Sequence, residues 1–318
     1  MCDILPVKGR FAPSPSGRMH LGNLFSFLLA WLSVRHGGGS LVLRIEDLDP
    51  ERCKPEFARQ LMDDLRWLGL TWDEGGEDPA YWQSNRGRLY QAAFDVLAAK
   101  GLTYPCFCTR HQRLIEAPHS HEVSPSCPCA GLSPEQAAAR ALERSPSYRV
   151  RVPGSTICFT DGLQGGYSQD LAIDCGDFPI RRSDGAWAYQ LAVVVDDAAM
   201  GITQVVRGRD LLSSTPRQLW LYEVLGWKPP AFYHVPLLLA PDGRRLAKRD
   251  GDLDMGALRQ RYAPEELLGI LAQMAGQQRT AQPISAADLA RSFDWSKVPK
   301  EDITVNPVLL SNSGRKGS

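Results

Sequence analysis

Blocks of apolar and polar positions alternate along the N-terminal part of the chain, and they predict strands and helices in turn. Short apolar runs from Val7 to Ala12 and from Leu41 to Ile45 predict two strands, each followed by a polar turn. The segment from Asn23 to about Arg35 is apolar nearly all round, which predicts a buried helix with Asn23 as its cap. Further helical patterns cover roughly residues 55–68 and 86–99. This alternation indicates an α/β fold with parallel strands.

The middle of the chain breaks the alternation, and the α/β pattern then returns. Residues 101–130 are rich in Cys, His, Pro and Ser, and residues 147–182 contain several short β-like runs. Apolar segments resume at Ala188, and a helix is predicted from Leu211 to Leu225. Shorter helical patterns close the chain at 255–262, 264–275 and 286–292.

These patterns predict a doubly wound parallel sheet of the Rossmann type with an inserted α+β subdomain. Such sheets bind nucleotides at the carboxyl ends of their strands, where we expect a site. Five segments are expected: 1–100 as the first half of the sheet domain, 101–185 as the insertion, 186–255 as the second half, 256–310 as a short helical part and 311–318 as a disordered tail.

The overall charge of the chain gives no indication of a nucleic-acid partner. The 318 residues are 43% hydrophobic and 23% charged, as in a globular protein, and 36 basic residues balance 36 acidic ones. Any attraction to phosphate must therefore come from local clusters. Two exist: Arg207, Arg209 and Arg217, and then Arg244, Arg245, Lys248 and Arg249. Taken alone, either cluster fits a solvated surface equally well.

No segment has the apolar length of a signal peptide or of a membrane span. Eight cysteines without a secretory signal predict reduced thiols and a cytoplasmic protein. We expect no membrane partner and no stable protein partner.

Four of the cysteines form a pattern typical of a metal site. Cys106 and Cys108 are followed, after eighteen residues, by Cys127 and Cys129. Four thiols in this arrangement suit one structural, tetrahedral Zn²⁺. His111, His119 and His121 are alternative ligands, and a loop that has lost its metal is the other interpretation. Cys2, Cys53, Cys158 and Cys175 stand apart and are expected to be ordinary thiols.

Two further segments suit phosphate binding. The turn from Gly9 to Gly17 leads into His20-Leu21-Gly22-Asn23 at a predicted helix start, where free N–H groups and an imidazole can contact phosphate. The basic loop from Arg244 to Asp250, with Lys248 at its centre, suits a clamp on a triphosphate. Separately, they fit an ordinary turn and a solvated loop, but together they are a specific arrangement.

The chain resembles the class I aminoacyl-tRNA synthetases at these positions. His20–Asn23 is similar to their HIGH motif, and Arg245–Arg249 is similar to their KMSKS loop, with Ala247 where the family often has Ser. The segments 10–17, 44–49, 193–197 and 202–212 resemble the glutamyl branch specifically, so that the likeness runs from about residue 7 to 255.

That resemblance implies a site for L-glutamate and for ATP with Mg²⁺. Glutamate would be bound by Arg10, Ser14, Glu46, Tyr189 and Arg207, with the arginines on carboxylates and Glu46 on the ammonium group. ATP would be bound by His20, Gly22, Asn23 and Lys248, of which His20 and Lys248 would stabilise the transition state for attack of the glutamate α-carboxylate on the α-phosphate. Local salt bridges are the alternative role for Glu46 and Arg207.

The chain also resembles shortened members of this family, the glutamyl-queuosine tRNA(Asp) synthetases. After Lys248 only 70 residues remain, fewer than the helical anticodon-binding region of a full glutamyl-tRNA synthetase. The resemblance implies glutamate activation without tRNA and transfer to the queuosine base in the anticodon loop of tRNA(Asp). A short enzyme that charges an ordinary acceptor end and a non-catalytic paralogue remain open alternatives.

The family also implies zinc, bound by a C-x-C pair, a tyrosine and a cysteine four positions after it. Here Val123 and Pro125 precede Cys127 and Cys129 by four positions, so the tyrosine is absent. The additional cysteine is the replacement that we expect.

Overall fold

Parallel strands run through the centre of the computed structural model, which describes residues 7–109, 127–246 and 253–305. The first three strands pair in parallel with one another, and so do the ninth and tenth. These two groups meet next to the first strand, where Thr203 N donates to Lys8 O over 2.8 Å. The strands are β1 (Lys8–Phe11), β2 (Ser40–Leu43), β3 (Glu74–Gly75), β4 (Thr103–Cys106), β5 (Ser147–Val150), β6 (Thr156–Asp161), β7 (Gly165–Asp170), β8 (Phe178–Arg181), β9 (Gln204–Gly208), β10 (Ala231–Val235), β11 (Leu238–Leu239) and β12 (Ile303–Thr304).

Helices cover both faces of this sheet, as the doubly wound prediction requires. Leu41 and Leu43 of β2 belong to one apolar core and Val42 to the other, because successive side chains of a strand point to opposite faces. The helices are α1 (Leu21–His36), α2 (Pro55–Trp67), α3 (Gly87–Ala99), α4 (Pro134–Glu143), α5 (Leu171–Asp174), α6 (Tyr189–Ala199), α7 (Thr215–Leu225), α8 (Met255–Arg261), α9 (Pro264–Met274) and α10 (Ala286–Arg291). None of the helices in the described ranges has the length and apolar character to cross a membrane.

Helix α1 is buried over most of its surface, which explains its apolar sequence. It packs on β1, where Gly9 allows close contact: a Cβ on Gly9 would lie 2.4 Å from Val34 Cγ2. The helix predicted at 211–225 is in fact a 3-10 turn, Arg209–Ser214, followed by α7. Pro216 lies in the first turn of α7, where its missing N–H breaks no helical hydrogen bond.

The β-rich middle forms two antiparallel units. β4, β5 and β8 pair as one sheet, and β6 and β7 form a hairpin. The hairpin does not stay within this region, because Gly162 N donates to Phe232 O of β10 over 2.8 Å. Asp161, at the end of β6, is thereby brought to the edge of the parallel strands. The tail predicted to be disordered, 311–318, lies outside the described residues.

A buried charge cluster joins β2 to α6. Arg44, the residue after β2, is fully buried and donates to Asp197 Oδ1 (2.6 Å) and Glu46 Oε1 (3.1 Å), with Asp196 Oδ2 at 3.7 Å. Asp196 also accepts from Arg86 Nε (2.6 Å) and from Gln83 Nε2 (2.7 Å). Burial opposes the charge on Arg44, but its three acidic neighbours more than offset this and raise its pKa.

We therefore expect Arg44→Ala to lower the free energy of unfolding by about 3–5 kcal/mol, because it leaves buried carboxylates without their partner. Urea denaturation followed by circular dichroism measures the change. Arg182→Ala is the matched control, since Arg182 and Asp184 form an ion pair in which both side chains are about half exposed; its effect should stay below about 1 kcal/mol. Equal effects of the two substitutions would contradict the role given to the cluster.

Candidate active site

A cavity of about 450 Å³ opens where the carboxyl ends of β1 and β9 meet the start of α1. The structure brings eight of the predicted glutamate and ATP residues to its walls: Arg10, Ser14, His20, Gly22, Asn23, Glu46, Tyr189 and Arg207. Lys248, the predicted centre of the triphosphate clamp, lies outside the described residues. The residues predicted to bind glutamate and the described residues predicted to bind ATP therefore line the same cavity.

His20 is the N-cap of α1, which corrects the prediction that Asn23 caps this helix. Its Nδ1 accepts hydrogen bonds from the backbone N–H groups of Gly22 (3.2 Å) and Asn23 (3.4 Å). Asn23 instead closes a capping box, because its side-chain oxygen accepts from His20 N over 3.4 Å. Since Nδ1 accepts, the proton of the neutral ring lies on Nε2, which makes that nitrogen a donor.

The described residues on both sides of positions 247–252 lie at the cavity. After them, Met255 N donates to Met19 O (2.9 Å), and His20 forms an isolated antiparallel bridge with Asp254. Before them, the side chain of Arg245 forms an ion pair with Asp210, and both residues line the cavity.

Arg207 is a buried cation whose hydrogen-bond partners are all neutral groups in the described part of the chain. Its Nη2 donates to Thr215 Oγ1 (2.8 Å) and its Nε to His234 Nε2 (3.0 Å), with Tyr189 Oη at 3.5 Å from Nη1. Burial lowers the pKa of Arg207, and the neighbouring Arg10 acts in the same direction. A mutual salt bridge between Arg207 and Glu46 is not formed, but the other part of that alternative holds for Glu46, which makes a local salt bridge with Arg44 (3.1 Å).

Arg10 and Glu46 are held by the buried cluster at the floor of the site. Arg10 Nη1 donates to Val206 O (3.3 Å), and its Nε lies 3.4 Å from Asp197 Oδ1. Burial raises the pKa of Glu46, although Arg44 and Arg10 oppose this. Burial acts likewise on Asp197, but there Arg44 and Arg10 prevail and lower its pKa.

The first predicted basic cluster does not form a common surface. Arg207 is buried, Arg209 lies 3.5 Å from Glu301 and Asp302, and Arg217 donates to Ser214 Oγ (3.1 Å). In the second cluster, Arg244 pairs with Asp242 and Arg245 with Asp210, while Lys248 and Arg249 lie outside the described residues.

The four cysteines predicted to bind zinc converge. Their Sγ atoms all lie within 4.8 Å of one another, with Cys106–Cys127 at 3.4 Å and Cys108 at 3.6 Å from both Cys127 and Cys129. A Zn²⁺ with bonds of about 2.3 Å in a tetrahedron separates its sulfurs by about 3.8 Å, so the four thiols fit the ion. Phe107 N donates to Cys129 Sγ (3.4 Å), which suits a thiolate. The alternative ligands His111, His119 and His121 lie outside the described residues.

Three residues behind Arg207 were missed by the sequence analysis: Asp161, Thr215 and His234. His234 Nδ1 lies 2.6 Å from Asp161 Oδ2, and Thr215 Oγ1 lies 3.2 Å from His234 Nε2. Asp161 and His234 are 73 positions apart and have no sequence motif in common. The sequence gives only a weak signal for this pair: Asp161 stands at a predicted turn, and His234 is a polar residue in an otherwise apolar segment.

Comparison with known proteins agrees with this geometry. Residues 6–310 match the family described as tRNA synthetases class I (E and Q), catalytic domain. In three dimensions, the chain is similar to a glutamate tRNA ligase from Elizabethkingia meningosepticum, solved in complex with its amino acid. The TM-score is 0.82 at 28% identity, covering 96% of this chain and 68% of that one.

Curated relatives narrow the family further. A glutamyl-Q tRNA(Asp) synthetase of Nitratidesulfovibrio vulgaris is 46% identical over 98% of this chain and 99% of its own. Another, of Symbiobacterium thermophilum, is 46% identical over 93% of this chain and 95% of its own. A glutamate–tRNA ligase of Halorhodospira halophila is 43% identical over 92% of this chain but 64% of its own. By these matches the chain belongs to the class I synthetase family for glutamate and glutamine, and within it to the glutamyl-Q tRNA(Asp) synthetases.

Proposed function

We propose that this protein activates L-glutamate with ATP, without tRNA, and then transfers the glutamyl group to the queuosine base at the wobble position of tRNA(Asp). The observation that carries the glutamate assignment is Arg207, a buried guanidinium on the cavity wall with neutral hydrogen-bond partners. A buried charge without a counterion is costly, so such a site favours an anionic ligand.

The remaining walls complete a site for an α-amino acid with an acidic side chain. Arg207 and Arg10 supply cations for carboxylates, since a guanidinium binds a carboxylate in bidentate fashion. Glu46, held at one oxygen by Arg44, supplies an acceptor for the ammonium group. Tyr189 and Ser14 line the same space. An uncharged side chain such as that of glutamine would leave the buried guanidinium without its counterion.

Activation requires charge stabilisation at the phosphates of ATP. The Nε2–H of His20 is fixed in orientation by the two backbone N–H groups that bind Nδ1, so it would donate to a phosphoryl oxygen without reorganisation. Lys248 would act on the same phosphates. Mg²⁺ would enter with ATP, bound by its phosphates, and would supply further positive charge there.

The RNA acceptor is proposed from the relatives. The two glutamyl-Q tRNA(Asp) synthetases match this chain over nearly their whole lengths and at 46% identity. We infer that the queuosine-containing anticodon loop of tRNA(Asp) enters the cavity, where a splayed, single-stranded loop can present one base. We place the protein in the cytoplasm, where charged and modified tRNAs are used, without a stable protein partner.

For the four cysteines, we propose one structural Zn²⁺ ion bound by Cys106, Cys108, Cys127 and Cys129. The bound ion would stiffen the segment between β4 and α4. The division of the chain at residues 100, 185, 255 and 310 remains part of the same proposal, with the β6–β7 hairpin packed on β10.

The first test is transfer of labelled glutamate to tRNA from cells that contain or lack queuosine. We expect label on tRNA(Asp) in the queuosine-containing preparation alone, and pyrophosphate release from glutamate and ATP before any tRNA is added. Label on tRNA(Glu) irrespective of queuosine would establish an ordinary charging enzyme. Absence of pyrophosphate release with every amino acid would indicate the non-catalytic paralogue.

A second prediction isolates the role of His20. In the variant His20→Asn, the amide oxygen can still cap α1, because Asn is among the preferred N-cap residues, but no donor replaces Nε2–H. The rate of glutamate-dependent pyrophosphate exchange should fall about 100-fold, as for loss of one donor to a developing oxyanion. The melting temperature should not change. A variant that exchanges pyrophosphate at the wild-type rate would exclude His20 from the chemistry.

A third prediction concerns the metal. The purified protein should contain one Zn²⁺ per chain by plasma mass spectrometry, and Cys129→Ser should lose it and melt at a lower temperature, because metal binding stabilises the fold that forms the site. Cys158→Ser is the control, since Cys158 is exposed and lies outside the cluster. Retention of the metal in Cys129→Ser would show that Cys129 is not a ligand.

A further inference from the structure

The strongest unexplained feature of the described residues is a buried chain of polar groups behind the glutamate pocket. Asp161 comes from the end of β6, His234 from β10 and Thr215 from the start of α7. All three are buried, and none of them lines the cavity. They reach it only through Arg207, which contacts His234 and Thr215 directly.

We propose that His234 is a positioning residue for Arg207, and that Asp161 fixes the tautomer in which His234 can hold the guanidinium in place. The inference rests on the proposed function, because it assigns to this chain of contacts an effect on glutamate binding.

The tautomer follows from the hydrogen bonds of Asp161. Its Oδ1 accepts from the backbone N–H groups of Leu163 (3.0 Å), Gln164 (2.9 Å) and His234 (3.1 Å). Burial raises the pKa of Asp161, but these bonds and the one from His234 prevail and lower it. An ionised carboxylate only accepts, so the contact of 2.6 Å between Oδ2 and His234 Nδ1 places the ring proton on Nδ1.

His234 therefore offers a lone pair at Nε2, the nitrogen that faces Arg207. Arg207 Nε can only donate, and it does so over 3.0 Å. The hydroxyl of Thr215 accepts from Arg207 Nη2 (2.8 Å) and can donate to the same Nε2 (3.2 Å). Burial lowers the pKa of His234, and the charges of Arg207 and Arg10 act in the same direction, while Asp161 opposes them. The geometry requires a neutral ring, because Nε2 faces the N–H of Arg207 and must accept from it.

The consequence is a guanidinium with a fixed orientation. Nε and one hydrogen of Nη2 are bound behind the pocket, and Nη1 also contacts Tyr189 Oη (3.5 Å). A ligand therefore meets the other hydrogens of Nη1 and Nη2 without first having to order the side chain. Such preorganisation lowers the cost of binding. A neutral partner at Nε2 also adds no negative charge in contact with Arg207, whereas a carboxylate in that place would compete with the ligand.

Asp161→Asn tests this with almost no change of shape. The amide oxygen can still accept the three backbone bonds, but the amide nitrogen now donates to Nδ1 and moves the ring proton to Nε2. That proton faces Arg207 Nε–H, and two donors cannot bond. In pyrophosphate exchange, we expect KM for glutamate to rise about tenfold or more, while KM for ATP stays near the wild-type value.

Two substitutions of His234 form a matched pair. His234→Gln can place an amide oxygen near the position of Nε2 and keep an acceptor for Arg207, whereas His234→Asn can reach Asp161 but ends short of Arg207. We expect KM for glutamate to be lower in the glutamine variant than in the asparagine variant. Asp161→Asn should add little to His234→Gln, because glutamine has no tautomer to reverse.

A spectroscopic readout on the unmodified protein does not depend on the folding of any variant. With ¹⁵N-labelled histidine, NMR should show His234 protonated at Nδ1, with the signal assigned by its loss in His234→Gln. Protonation at Nε2 in the wild type would overturn the inference. So would a KM for glutamate that is unchanged in Asp161→Asn, or a loss of stability in both His234 variants with no difference in their KM values.

Failure of the proposed function gives a different result. If the wild-type protein does not exchange pyrophosphate in the presence of glutamate, the proposed function fails and this inference fails with it. If the wild type does exchange and Asp161→Asn binds glutamate equally well, only the role of His234 is overturned.

Discussion

The requirement that every buried charge find a partner organises this structure around Asp196 and Asp197 of α6. Asp197 accepts from Arg44 and lies next to Arg10, while Asp196 accepts from Arg86, Gln83 and Tyr90. Arg44 in turn fixes one oxygen of Glu46. Two residues of the cavity wall, Arg10 and Glu46, thus owe their positions to the cluster that also joins β2 to α6. The interactions that stabilise the packing of α6 on the sheet are therefore the same ones that position these two side chains of the pocket.

Arg207 differs from its neighbours in that its partners carry no charge. The fold stabilises Arg10 and Arg44 with carboxylates of its own, but it holds Arg207 with a hydroxyl, an imidazole and a phenol. Among these three arginines, Arg207 is therefore the one whose side chain has no ion pair with a carboxylate of the described residues. This difference also explains why composition was uninformative: a net charge of zero does not show that one buried guanidinium has only neutral hydrogen-bond partners among the described residues.

Much of the fold and most of the pocket could be predicted from the sequence, for identifiable reasons. Long periodic segments such as α1 and α3 carry their pattern locally, and the residues of the two motifs lie next to elements that the pattern predicts. The N-cap of α1 was predicted wrongly because Asn is a preferred N-cap residue and His is not. In the structure, the ring of His20 accepts the hydrogen bonds of the N-cap position. Asp161 and His234 were missed because their contact depends on where a hairpin packs, and strand patterns predict the hairpin without its neighbour.

The packing of the β6–β7 hairpin has a consequence for how this protein can be recombined with its relatives. Residues 147–182 look in sequence like an exchangeable insertion, and the adjoining cysteine cluster reinforces that impression. Yet Gly162 N donates a hydrogen bond to the backbone of β10, and Asp161 is hydrogen-bonded to the imidazole of His234. A chimaera that took this segment from a donor without an acidic residue at position 161 would keep every side chain of the pocket wall. It would nonetheless lose the contact of Asp161 with His234, the residue that contacts Arg207. A segment exchanged between relatives should therefore leave this hairpin in place.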